Sequence, residues 1–189
     1  MNADNENATR LAPLIAMLND KDGLVRQKAR LQLAEAGETA VPALAKVLRE
    51  APSRHARWGA AKALGEILHS GAIPALLDAL EDRDSDVAWL AAVALNKLGR
   101  AAWKPVLQRL ITRGVDSVAV RAGVHHIFAG QKFGDYEDLF AILMRGLEFG
   151  ELDEAGALAA AEIQKRMLAE LWRECQAIGK DAAGEGDVM

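Results

Sequence analysis

Apolar and polar residues alternate along this chain in two recurring kinds of segment. Four longer ones are DGLVRQKARLQLAEAG from Asp22, SRHARWGAAKALGEIL from Ser53, DSDVAWLAAVALNKLG from Asp84 and VDSVAVRAGVHHIFAG from Val115, each starting 31 residues after the last. In this alignment Val25, Ala56, Val87 and Val118 superpose, as do Ala29, Ala60, Ala91 and Ala122. Each is preceded by a shorter apolar segment: LAPLIAML, AVPALAKVL, AIPALLDAL or AWKPVLQRL. At about 100° per residue both kinds are amphipathic helices, with positions 25, 29, 32, 33 and 36 and their equivalents on one face. Pro13, Pro42, Pro74 and Pro105 recur near the starts of the short segments, where a missing N–H costs no helical hydrogen bond.

A lone helix pair of this kind cannot hide its apolar face, whereas consecutive pairs stacked on one another can. The expected fold is therefore all-α, a right-handed α-solenoid built from four helix pairs. After Gly134 the period stops. DYEDLFAILMRGLEF reads as one helix ending near Gly150, and a longer one runs from about Asp153 to Ile178, with Ile163, Met167, Leu168, Leu171, Trp172, Cys175 and Ile178 on its apolar side. These two helices are expected to cap the solenoid, and Cys175 to be packed and inert. The domain plan is a flexible N-terminus over 1–10, repeats over 11–134, capping helices over 135–179 and a disordered tail over 180–189.

The patterns VRxxAxxxL in the first repeat, ARWGAAKALG in the second and VAWLAAVALN in the third resemble HEAT-like repeats of the phycobilisome-lyase type. The resemblance covers residues 11–130. It implies the armadillo-like helical fold and, in function, a choice among protein scaffolds, DNA glycosylases and bilin chromophore lyases.

Opposite the buried stripe lies a second face. It carries Trp58, Lys62 and His69 in the second repeat, Trp89, Val93, Asn96 and Arg100 in the third, and Val120 and Val124 in the fourth. The resemblance implies that this side lines the concave surface. Trp58 and Trp89 hold the same position in adjacent repeats, and the strip is more apolar than solvent should see. Three readings stay open: a groove that grips a protein or peptide partner through its tryptophans, a patch covered by the C-terminal helices or a second copy, or indoles resting flat on their neighbours. Arg26 and Arg57, on the flank between repeats, are expected to bond Asp22, Asp84 or nearby carbonyls.

Composition and charge narrow the alternatives. The chain is 51% hydrophobic and 5% aromatic, with a single cysteine, which excludes a disulfide scaffold and fits a reducing, cytoplasmic compartment. The opening MNADNENATR is polar, and no apolar run approaches the roughly 18 residues of a membrane span. Residues 1–134 hold 18 Lys and Arg against 14 Asp and Glu, and residues 135–189 hold 5 against 13. So mild a basic excess gives nucleic-acid binding, alone or with glycosylase-like chemistry, second place. A bilin lyase ranks third.

Catalytic signatures are missing: there is no phosphate-binding glycine loop, HExxH or GxSxG. Asp82, Asp84 and Asp86 imitate the start of a calcium loop, but its required Gly and Glu positions hold Val87 and Val93. His125 and His126 are adjacent on a helix and diverge by about 100°. No enzyme activity, cofactor or metal is expected. The leading expectation is a scaffold that binds a protein partner.

Overall fold

Four helices begin with the same device, a short polar side chain accepting a backbone N–H of the first turn. Asp22 accepts from Leu24 at 2.8 Å, Ser53 from Ala56 at 3.4 Å, Asp84 from Asp86 and Val87 at 3.1 and 3.3 Å, and Ser117 from Val120 at 3.1 Å. These caps satisfy donors that an α-helix leaves open at its start, and each contributes about 1 kcal/mol. The computed structural model describes residues 3–114, 117–149 and 154–184, with the side chains of 3–6, 8, 149 and 177–184 left aside. The described residues are helical, with no strand among them.

They fall into two compact units, one within 1–106 and 115–131, the other within 107–114 and 132–189. In the first unit the caps open α2 (Gly23–Glu35), α4 (Arg54–Ile67), α6 (Ser85–Leu98) and α8 (Val118–Phe128). The shorter segments form α1 (Ala3–Met17), α3 (Val41–Glu50) and α5 (Ile73–Asp78), while α7 (Arg100–Arg113) divides between the units at Val106. Helices α2, α4, α6 and α8 pack consecutively into one layer, and α1, α3 and α5 into another beside it. Ala29, Leu33, Ala60, Leu64, Ala91 and Leu95 are fully buried along the seam, and Leu44, Leu48, Leu76 and Leu80 face them. Each buried leucine is worth roughly 1.5–3 kcal/mol of transfer free energy. Small residues bring α4 and α6 close: a Cβ at Gly65 would stand 3.1 Å from that of Ala94.

Two expectations about the repeats fail. Pro42 and Pro74 open α3 and α5 as the pattern requires, but Pro13 and Pro105 lie inside α1 and α7. Both helices extend upstream of their apolar segments; α1 already begins at Ala3, and α7 at Arg100 directly after Gly99, whose φ is +56°. The second failure concerns the fourth repeat. Its cap, Ser117, follows Asp84 by two residues more than the period allows. The core positions shift with it, so Val120, Val124 and Phe128 are buried where Val118 and Ala122 were expected, and Val118 is 71% exposed.

The second unit holds α9 (Glu137–Phe149) and α10 (Glu154–Gly184), packed together. Phe140, Leu143 and Leu147 of α9 and Ala159, Ala160 and Ile163 of α10 are buried, and Phe133 stacks on Phe140 with ring centroids 3.9 Å apart. α10 is far longer than α9 and continues past the expected end at Ile178. Leu168, Leu171, Trp172 and Cys175 are exposed on it, so the cysteine is not packed. Residues 180–184 of the expected tail belong to α10, and 185–189 lie outside the described residues.

Candidate functional site

Trp58 and Trp89 stand five residues after their caps, on the side of α4 and α6 turned away from the buried stripe, and are 39% and 52% exposed. Their surroundings differ. The Trp89 ring lies against His126 of α8, centroids 4.2 Å apart and tilted by 41°. Trp58 instead lines a cleft of about 400 Å³ between α2 and α4, together with Arg26, Gln27, Arg30, Arg54 and His55. Two glycines, Gly23 and Gly59, complete its wall.

The cations of this cleft are held from outside it. Arg26 donates from Nη1 to the carbonyls of Asp20 and Lys21 at 2.7 and 3.0 Å. Arg30 pairs with Glu66, and the exposed Arg54 reaches Asp84 at 3.4 Å. Neither carboxylate is part of the lining, which contains no acidic residue.

Arg57, one position before Trp58, serves the fold. It donates from Nη1 to the carbonyls of Ala51 and Pro52 at 3.0 and 3.1 Å, and grips Asp82 with two bonds of 2.7 and 3.0 Å. The two side chains are only 5% and 8% exposed. The hydrogen bond to Asp82 outweighs burial and raises the Arg57 pKa, helped by the charges of Asp82 and Asp84. Burial pushes the Asp82 carboxyl up, but the Arg57 bond, the Asp84 N–H and the charges of Arg57 and Arg83 together hold it below the usual range. The inter-repeat clip expected of these arginines is thus built on carbonyls and on Asp82, while Asp22 caps α2 and Asp84 caps α6.

The other residues of the expected face scatter. Lys62 and Val93 are half-buried. His69 caps a 3-10 turn, its Nδ1 accepting the Gly71 N–H at 3.1 Å while Nε2 lies 3.5 Å from Glu38. Asn96 donates its amide to the carbonyls of His126, Ile127 and Ala129 at 3.1, 3.0 and 3.0 Å, closing the end of α8. Arg100 is exposed, its guanidinium 5.5 Å from the Trp103 ring. Val120 and Val124, expected beside the tryptophans, are 2% and 0% exposed and belong to the core, a direct result of the two-residue shift in α8. His125 is exposed and His126 half-buried.

Sequence reasoning missed Arg30, Arg54 and His55. The signal was present: Arg26 and Arg30 are one helical turn apart, and Arg54 and His55 open the next helix of the layer. Among the described residues no cluster of three or more His, Cys, Asp or Glu is placed to hold a metal, and no helix is long and apolar enough to cross a membrane.

Comparison with known proteins agrees with the architecture. A family model described as HEAT repeats matches residues 11–80 and again 41–127, together more than half of the chain. A search of curated proteins returns no significant match.

Proposed function

The chain belongs to the HEAT-repeat family, and from that premise we propose that it is a non-enzymatic interaction module holding a protein partner on the face of α4 and α6 that carries Trp58 and Trp89. One observation carries this reading: the two indoles remain substantially exposed at matching positions of a stack whose seam leucines, Leu33, Leu64 and Leu95, are fully sealed. Tryptophan and arginine are the residues most enriched among binding hot spots, because they combine a large apolar area with directed polar contacts. Trp58 stands beside three arginines. The repeat motifs support the phycobilisome-lyase subtype, and the single cysteine supports a cytoplasmic location.

The test is a double variant, Trp58→Ala with Trp89→Ala, used as bait in affinity capture from an extract of the native cells. It should keep its helical circular dichroism and lose the partner that the unaltered chain retains. Undiminished capture of that partner removes this face from consideration.

A nucleic-acid reading draws on the cationic lining of the Trp58 cleft, since neutralising phosphates drives such binding. A duplex-DNA titration at low salt decides it, because phosphate contacts give a steep loss of affinity as salt rises.

A further inference from the structure

We infer that the cleft between α2 and α4 takes an acidic peptide segment, with a carboxylate among Arg26, Arg30 and Arg54 and an adjoining apolar side chain on Trp58. The inference rests on the reading of the tryptophan face as a protein-binding surface and specifies the chemistry of the partner.

Charge complementarity selects the occupant. Three guanidinium groups and an imidazole border the cleft with no carboxylate among the lining residues. Glu66 and Asp84 engage Arg30 and Arg54 from outside. A guanidinium has five N–H donors, so each can keep that partner and still present donors to a ligand. Arg26 is fixed by the two carbonyls on Nη1, which lowers the entropy lost when its guanidinium meets a carboxylate. The cleft also adjoins the first turns of two long helices, Gly23 in α2 and Arg54 and His55 in α4, and helix starts favour negative charge.

Size and shape separate a peptide from a nucleic acid. About 400 Å³ holds two or three side chains, whereas duplex binders need an extended basic surface. Gly59 lets α4 pack tightly behind the cleft, since a Cβ there would stand 3.0 Å from the buried Leu18 side chain. Trp58, 39% exposed in the lining, offers a face for an apolar group next to the cations, the combination met by a sequence such as Glu-Glu-Leu-Glu-Glu.

The experiment uses the full chain and fluorescence anisotropy with a labelled Glu-Glu-Leu-Glu-Glu peptide, its Gln-Gln-Leu-Gln-Gln isostere and an oligothymidylate of about ten nucleotides. The acidic peptide should bind at least about tenfold tighter than the isostere, and weaken severalfold between about 50 and about 300 mM salt. Arg54→Gln, at an exposed position, should cost about three- to fivefold, and Trp58→Ala about tenfold or more. Arg49→Gln, which removes an exposed charge on α3, should change nothing. Equal binding of the two peptides, no binding of either, or equal losses from Arg49→Gln and Arg54→Gln each overturn the inference. So does an oligothymidylate that outcompetes the acidic peptide with the same sensitivity to Arg54 and Trp58. If the peptide fails while the double tryptophan variant still loses its native partner, only the acidic specificity falls. If that variant keeps its partner, the tryptophan face itself falls.

Discussion

The junction between the first and second repeats and that between the second and third use the same positions, 31 residues apart, and reach different results. In both, an arginine clips two carbonyls of the preceding turn: Arg26 takes those of Asp20 and Lys21, and Arg57 those of Ala51 and Pro52. At the second junction Asp82 adds a bidentate pair and closes the arginine off from solvent. The first junction has Ala51 at the position equivalent to Asp82. Glycine also changes places: Gly59 beside the cleft corresponds to Leu90, and His55 to Asp86. One repeat position thus becomes a structural ion pair where a carboxylate follows, and an open cationic cleft where alanine does. Periodic folds make such a substitution visible, because the neighbouring repeat supplies the control.

The largest effect expected from this difference is on stability. Arg57→Ala strands a buried carboxylate and should cost about 3–5 kcal/mol. Arg26→Ala removes hydrogen bonds at a half-exposed site and should cost about 1–2 kcal/mol. Urea unfolding of the two variants measures the gap, and equal losses would mean that Asp82 adds nothing to the second junction. The pair also gives a pH signature. Because the folded Asp82 pKa is depressed, its contribution is complete above the ordinary aspartate value of about 3.9 and fades as pH falls through the folded value. Asp82→Asn, less stable at neutral pH, should therefore lose less stability on acidification than the unaltered chain.

An intermediate effect comes from converting one junction into the other. Ala51 has φ −67° and ψ 130°, and Asp82 has φ −59° and ψ 139°, so aspartate fits at position 51 without backbone change. Ala51→Asp should pair with Arg26 and raise stability by about 1 kcal/mol. In an Arg26→Ala background the gain should disappear, and a thermal-melt double-mutant cycle reads the coupling. A gain that persists without Arg26 would assign the benefit to capping of the following turn instead.

How far the sequence reveals these features depends on what decides each of them. The alanine and leucine seam of α2, α4 and α6 was legible because periodic burial is a one-dimensional signal, and Ala29, Ala60 and Ala91 are all sealed. The shift in α8 was not. Valines at 118, 120 and 124 fit either register, and the choice falls to the Ser117 hydroxyl, which caps at Val120. Val120 and Val124 left the candidate site for that reason. Helical angles found Trp58 and Trp89, but an angle on one helix cannot tell which neighbour an indole meets. His126 reaches Trp89 from α8, while arginines of α2 border Trp58. Offsetting the sequence by one period would have paired Ala51 with Asp82 and marked the first junction as the open one.

The smallest effect lies at the ends of the same helices, where all the repeats are alike except one. Gly37, Leu68, Gly99 and Gly130 follow one another at the repeat period, and all four have positive φ, from +55° to +70°. Glycine adopts this conformation freely, whereas an L side chain pays roughly 1–2 kcal/mol. Leu68 ends α4 in the left-handed region with its N–H bonded to the Leu64 carbonyl at 3.0 Å, and it is 43% exposed. Leu68→Gly removes the backbone strain but loosens the unfolded chain and forfeits some apolar contact. The balance should be a gain of about 0.5 kcal/mol, seen as a rise in Tm. Gly99, with ψ −133°, lies outside the left-handed well in a region essentially kept for glycine, so Gly99→Ala should lower stability by about 1–3 kcal/mol. A loss from Leu68→Gly would show that the leucine side chain holds α4 more firmly than its exposure indicates, and that this one repeat ends its helix by packing instead of backbone conformation.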